Sequence, residues 1–206
     1  HEKIEGFMAG YEIAKRTGDE IGLHIFLGIE LRNFESRNEY LVYGITKEFL
    51  LANEKLYDKP LTEIKKIIDD NGLMMIQAHP YRKICFIAPS ELLDGVEGFN
   101  GHFNHDSNNE AALRLGKKMG KIITSGSDFH DYADLGNGGI IFKHEPKTDN
   151  LAEALRNIPY KLIQTKPQWL DILVLDMDED DIAKPKDILN LARGNGAGFI
   201  VLNYNG

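Results

Sequence analysis

The 206-residue chain has a net charge of −8, and 42% of its residues are hydrophobic and 27% charged. These proportions are typical of a globular domain with one buried core. The negative net charge argues against nucleic-acid binding, which requires clustered lysine and arginine. The sequence shows no apolar run near the ~18–20 residues of a membrane span and no signal-peptide pattern. We expect one domain over residues 1–206, in the cytoplasm, with neither nucleic acid nor membrane as partner; the oligomeric state stays open.

Cys85 is the only cysteine, which excludes an internal disulfide and a thiolate metal cluster. Any metal ion would therefore be held by histidine, aspartate and glutamate. The chain begins at His1 rather than methionine, which we interpret as a processed, tagged, trimmed or rearranged start.

Helical and strand patterns alternate along the chain, as in parallel βα units. In order, the patterns predict a helix at 4–18, strands at 23–31 and 40–45, a helix from Pro60 to Asn71-Gly72, strands at 73–78 and 95–100, a helix at 110–119, strands at 121–124 and 138–142, a helix at 151–155, a strand at 171–175, a helix at 185–191 and a strand at 199–202. Seven or eight strands, most of them separated by helices, predict a closed or nearly closed α/β barrel.

Ionisable side chains follow the buried strands of this predicted barrel. Glu30 and His79 each end an apolar run, and Asp128 and His130 follow another. The carboxyl ends of barrel strands meet at one face, where ligands bind. Asp128 and His130 are two residues apart, which in extended backbone directs both side chains to the same side. The sequence therefore predicts a metal site, and the mixed donor set favours Zn, Mn or Fe.

Each of these residues also has a structural explanation on its own. His79 is explained equally well as a strand-end histidine bonded to backbone, and Glu30 as half of a surface ion pair. Ser127 to His130 could form a turn and helix cap. Their joint placement after successive strands favours the metal site.

Several motifs resemble, in order and spacing, those of the polymerase-and-histidinol-phosphatase (PHP) family of metal-dependent phosphoesterases. The motifs are Gly28-Ile29-Glu30, Ala78-His79-Pro80-Tyr81-Arg82, Gly95-Val96-Glu97 with Asn100, and Gly126-Ser127-Asp128-Phe129-His130. The resemblance covers most of residues 1–160. It implies a distorted (βα)7 TIM-like barrel that holds one to three divalent ions, Zn, Mn or Fe.

The same resemblance implies roles for individual residues. Glu30 would bridge two metals, Asp128 would bind the first metal and His79 the second. His130 would bind the third, with His1 if the terminus folds back. The second metal would take a further ligand from His102, His105 or Asn100.

Arg82 and Asp128 are the expected catalytic residues, and Arg82 and Asn100 the expected substrate contacts. The guanidinium of Arg82 matches the oxygens of a phosphate; the alternative is a solvated loop arginine.

The C-terminal forty residues resemble the beginning of that family. Residues 169–175, 184–192 and 198–202 resemble its first strand, helix and strand, which suggests a circular permutation. Leu173 and Leu175 then occupy the positions of a His-x-His motif, and leucine cannot bind a cation. The alternative is an ordinary additional βα unit over residues 165–206.

We expect hydrolysis of a small phosphate ester, such as a nucleotide or sugar phosphate, by metal-activated water. One alternative is a catalytically inactive or engineered protein of the PHP fold, because Leu173 and Leu175 replace expected ligands. The other is a metal-dependent amide or lactone hydrolase, which needs the same ligands but no phosphate contact. Whether the chain is an active enzyme stays open at this point.

Overall fold

The computed structural model describes residues 4–165, except for the side chains of Glu5 and Phe7. The helices are α1 (Ile4–Ile21), α2 (Lys47–Ala52), α3 (Leu61–Asp70), α4 (Asn109–Met119) and α5 (Leu151–Asn157). The strands are β1 (Gly28–Arg32), β2 (Glu39–Tyr43), β3 (Met74–Gln77), β4 (Gly95–Asn100), β5 (Ile122–Gly126), β6 (Gly138–Phe142) and β7 (Tyr160–Gln164).

The longer helices end close to where the sequence predicts. Pro60 precedes α3, where its fixed φ and missing N–H are tolerated, and Gly72 follows that helix with φ +67°. α4 ends at Gly120, which has φ +61° and donates its N–H to the carbonyl of Gly116. The predicted helices at 4–18, 60–71, 110–119 and 151–155 are confirmed as α1, α3, α4 and α5. The sequence pattern does not predict α2 or β7.

The described strands do not close into a barrel. Five of them form a mixed sheet in the order β1-β2-β3-β4-β5, in which β2 is antiparallel to both neighbours and β3, β4 and β5 are parallel. β6 and β7 form a separate antiparallel pair. A βα barrel requires parallel strands that close on themselves, with a helix after each. The predicted (βα)7 TIM-like barrel is therefore wrong for residues 4–165, which form a small α/β domain.

The five-stranded sheet buries apolar side chains on both faces. In β2, Val42 packs in one cluster with Ile29 and Met75, while its neighbour Leu41 packs in the other with Ile76. The strands of a sheet that is covered on both faces are nearly continuous apolar runs. This frame holds the few polar residues of the strands in defined places.

Side-chain hydrogen bonds anchor the two-stranded sheet to β5. The hydroxyl of Tyr160 donates to the carbonyl of Ile123 at 2.8 Å. Ser125 Oγ donates to the carbonyl of Ile163 and accepts the N–H of Gly139. The strand that leads into Asp128 is thus supported from the β6–β7 side.

Several predictions lie outside the described residues. They concern His1 as a ligand, the strands at 171–175 and 199–202 with the helix at 185–191, Leu173 and Leu175 at the His-x-His positions, and the circular permutation of the C-terminal segment. Within residues 4–165, no helix combines the length and apolar character that a membrane crossing requires.

Candidate metal centre

Three side chains from neighbouring strands converge, and we name Glu30, Glu39 and His79 the strand cluster. Glu30 lies in β1, Glu39 begins β2 and His79 follows β3. His79 Nε2 lies 3.2 Å from Glu30 Oε1 and 3.2 Å from Glu39 Oε2. The ligand atoms of all three lie within 4.8 Å of one another. Two carboxylates and an imidazole are a donor set that fits Zn, Mn or Fe.

The strand cluster is largely buried, and its charges depend on one another. The side chain of His79 is 2% exposed and that of Glu30 8%. Burial alone would lower the pKa of His79, but hydrogen bonds to Glu30 and Glu39 outweigh burial and raise it to about 10. Burial would raise the pKa of Glu39, yet the hydrogen bond to His79 lowers it. The two carboxylates therefore require a positive charge between them, from a proton or from a cation.

Backbone strain occurs at two of the predicted ligands. His79 has φ +26° and Asp128 has φ +50°, a region that residues other than glycine rarely adopt. Such a conformation costs on the order of 1–3 kcal/mol and persists where surrounding contacts enforce it. For His79 these contacts include its N–H bond to Glu97 at 2.9 Å and its carbonyl bond to the N–H of Arg82 at 2.9 Å.

A chain of hydrogen bonds joins the strand cluster to Asp128. Glu97 Oε2 accepts from the backbone of His79 and, at 3.0 Å, from Asn100 Nδ2. Asn100 Nδ2 also donates to Asp128 Oδ2 at 3.1 Å. Arg82 forms an ion pair with that same oxygen at 2.6 Å and donates to Asn100 Oδ1 at 3.1 Å. Burial would raise the pKa of Asp128, but the Arg82 guanidinium outweighs burial and holds it below its ordinary value.

Glu97 is a buried acid in the middle of this network. Burial raises the pKa of Glu97 to about 7, although His79 and the hydrogen bond from Asn100 act in the opposite direction. Glu97 can consequently gain or lose a proton near neutral pH beside two predicted site residues.

A second group, which we name the loop cluster, consists of His102, His130 and Asp134 on the loops after β4 and β5. The ring centroids of His102 and His130 lie 4.8 Å apart. Asp134 accepts the N–H of Phe103 at 2.8 Å from one loop, and those of His130 at 3.0 Å and Asp131 at 2.9 Å from the other. The carboxylate of Asp134 thus ties the two loops together.

Asp128 connects the two halves of the site. Its Oδ1 lies 3.5 Å from His130 Nδ1, and its carbonyl is 2.8 Å from the same nitrogen. The side chain of His130 is 45% exposed, whereas those of His102 and Asp134 are 9% and 1% exposed, so the loop cluster reaches solvent through His130. The residues after β5 therefore border both groups.

The structure brings most of the predicted site residues together. Glu30 and His79 share the strand cluster, and Asp128 lies beside His130. Arg82 contacts Asp128, so it is held within the site. The roles assigned to these residues stay predictions.

The neighbours of the predicted second metal differ from the options that the sequence offers. His102, His105 and Asn100 are the predicted further ligands beside His79. The structure places Glu39 at His79 and packs the ring of His102 against those of His130 and, with centroids 4.4 Å apart, His105. His102 therefore belongs to the loop cluster.

Sequence reasoning misses Glu39, Glu97 and Asp134 as site residues. Glu97 stands in a motif that resembles the family, so its position signals a role even though its burial does not show in the sequence. Glu39 can be recognised as a site residue only from the pairing of β2 with β1. Asp134 carries a weaker signal, an aspartate three residues after Asp131 in a capping pattern.

Comparison with known families adds one finding to this geometry. A family model described as PHP-associated matches residues 106–157. The match includes Asp128 and His130 and covers about a quarter of the chain. It supports a relationship to the PHP family, whose members are often metal-dependent. No curated protein matches the chain.

Proposed function

We propose that this protein is a metal-dependent phosphoesterase that hydrolyses a small phosphate ester. One observation carries the proposal: Glu30 and His79 converge in one group and Asp128 and His130 in another, and hydrogen bonds through Glu97 and Asn100 connect them. The PHP-associated match over residues 106–157 is consistent with it.

The donor set indicates which residues would hold the metal. Glu30 and His79 would hold one ion, and Asp128, His130 and His102 supply donors on the other side of the network. When bound, divalent cations lower the pKa of water and offset the charge that develops on phosphoryl oxygens. Such a site needs a carboxylate and imidazole set like the one present here.

Arg82 is the residue suited to orient the substrate phosphate. Its guanidinium contacts Asp128, Asn100 and, at 3.4 Å, Ser107. A planar guanidinium binds two phosphate oxygens at once. The N–H of Arg82 donates to the carbonyl of His79, and this turn keeps the backbone of Arg82 close to the predicted ligands.

The ion pair between Arg82 and Asp128 also favours a second candidate, an inactive protein of the PHP fold. In it, the guanidinium of Arg82 and the imidazolium of His79 would neutralise the carboxylates that a metal neutralises in an enzyme. The 2.6 Å contact between Arg82 and Asp128 is the observation that supports this alternative.

A substrate panel with added metal tests the proposal. We expect the wild-type protein with Mn²⁺ or Zn²⁺ to hydrolyse aryl, sugar or nucleotide monophosphates, and Arg82→Ala to raise KM for them steeply. Arg114→Ala, which removes an exposed arginine of α4 that pairs with Glu110, is the matched control and should change nothing. Absence of turnover with every metal would favour the inactive candidate. Lactone or amide hydrolysis insensitive to Arg82→Ala would favour the other hydrolase class.

A further inference from the structure

We infer that Glu39 is the third protein ligand of the cation held by Glu30 and His79. The inference rests on the proposed metal centre and goes beyond it, because none of the sequence motifs assigns a role to Glu39. Glu39 Oε2 lies 3.2 Å from His79 Nε2, the same distance as Glu30 Oε1. The two carboxylates therefore approach one imidazole nitrogen equally closely.

The register of the sheet places Glu39 on the correct side. In the antiparallel pair of β1 and β2, Glu30 is opposite Leu41 and Arg32 is opposite Glu39. Directly opposed residues share a face, and so do residues two apart, so Glu30 and Glu39 are diagonal neighbours on one face. The carbonyl of Glu39 also accepts the N–H of Ala78 at 2.9 Å, which holds the start of β2 beside His79.

Arg32 orients the Glu39 carboxylate without blocking it. The guanidinium of Arg32 binds Oε1 of Glu39, while Oε2 faces His79. Arg32 is 56% exposed and Glu39 21% exposed, so the ion pair closes the outer side of the cluster. Arg32 is thus a positioning residue that leaves one carboxylate oxygen directed at the cluster.

The charge balance of the cluster favours a divalent cation over a proton. Two carboxylates on one face repel each other unless a positive charge lies between them. A proton on His79 supplies one charge, and the exposed Arg32 contributes little because solvent screens it. A divalent ion would supply two charges, and Glu30, Glu39 and His79 could each offer it one ligand atom. This donor set selects Mn, Fe or Zn over Ca or Mg.

Mn²⁺ titration of the metal-free full chain, followed by electron paramagnetic resonance, tests the inference. Glu39→Gln keeps the size of the side chain and removes its charge. We expect it to weaken one class of bound Mn²⁺ by more than about tenfold, since loss of even an outer-shell partner costs about 10- to 100-fold in affinity. Glu39→Asp should recover part of the loss, and Arg32→Gln should have a smaller effect and alter the Mn²⁺ spectrum.

Glu12→Gln is the matched control, because Glu12 is also an ion-paired carboxylate, bound to Lys47 on the surface, and should leave binding unchanged. Circular dichroism on each metal-free variant checks that it folds. Wild-type affinity in Glu39→Gln would overturn the inference alone and leave the proposed function intact. Equal losses in Glu39→Gln and Arg32→Gln would also overturn it, since Glu39 would then matter only through its ion pair. Absence of Mn²⁺ and Zn²⁺ binding by the wild type would overturn both.

Discussion

The strand cluster and the loop cluster use similar donors but are built differently. Glu30, Glu39 and His79 are held by three paired strands and are largely buried. His102 and His130 lie on loops that the carboxylate of Asp134 joins. A ligand held by a sheet keeps its position before metal arrives, whereas ligands on loops depend on local hydrogen bonds. We therefore expect the strand cluster to bind metal more tightly and the loop cluster to adapt to substrate.

The largest expected effect is that of His79→Ala. It removes the positive charge between Glu30 and Glu39, and removing one partner of a buried ionic group costs about 3–5 kcal/mol. Urea unfolding of the metal-free protein measures this loss, and His144→Ala, at an exposed histidine, should have little effect. A cost of His79→Ala no greater than that of His144→Ala would mean that the two carboxylates are not dependent on the imidazole.

The pH dependence of metal binding should separate the clusters. The hydrogen bonds to Glu30 and Glu39 raise the pKa of His79 to about 10, so a metal must displace a proton from it at neutral pH. Because one proton is displaced, the metal affinity rises about tenfold for each unit by which the pH increases, as long as the pH is below that pKa. Mn²⁺ affinity of the strand cluster should hence rise about 100-fold from pH 6 to pH 8, and isothermal calorimetry in buffers of different ionisation enthalpy should detect the released proton. A flat profile would show that His79 is already neutral in the metal-free protein, or that it does not bind the metal.

A smaller effect is expected from Asp134→Ala, which should loosen the loop cluster alone. The change removes the acceptor of three backbone N–H groups, and we expect a loss of about 2 kcal/mol. Burial would raise the pKa of Asp134, but these N–H bonds outweigh burial and lower it. The stabilisation that Asp134 contributes to the folded state is therefore fully present above its ordinary pKa of 3.8, and it is lost as the pH falls through the lowered pKa of the folded state.

Histidine NMR signals of His102 and His130 should shift in Asp134→Ala, while Mn²⁺ binding at the strand cluster should not change. Asp106→Ala removes an exposed loop acid and serves as the control. Equal loss of metal at both clusters would contradict the expectation that Asp134 supports the loop cluster alone.

The smallest expected effect concerns the hydrogen bond between β7 and β5, the strand that leads to the loop of His130. Tyr160→Phe deletes the hydroxyl that donates to Ile123 in β5 and should cost about 1 kcal/mol. Tyr132→Phe is the control, because the Tyr132 side chain is exposed and its hydroxyl faces solvent. Thermal unfolding should show a lower Tm only in Tyr160→Phe; equal values would mean that this bond does not stabilise β5.

Local pattern was sufficient to predict most elements but not their arrangement. Pro60 and Gly120 mark helix boundaries by their own backbone preferences, so α3 and α4 follow from neighbouring residues. Whether β2 runs parallel or antiparallel to β3 depends on pairing between residues about forty positions apart, such as Tyr40 with Gln77. Apolar runs look alike in both cases, and for that reason the barrel prediction was wrong.

The residues of the candidate site also fall into those that local sequence predicts and those that it does not. Glu30, His79 and Asp128 follow apolar runs, a signal that the sequence shows directly. Glu39 begins its strand and joins the cluster only through its diagonal relation to Glu30, which requires the register of β1 and β2. Residues that follow apolar runs in the sequence were therefore predictable, and a ligand defined by cross-strand pairing was not.

The most direct measurement is elemental analysis of protein purified without chelator, for the wild type and for His79→Ala. A divalent metal centre predicts at least one equivalent of Zn, Mn or Fe per wild-type chain and less in the variant. Metal near zero in both proteins would contradict the metal centre and leave an inactive relative of the PHP family.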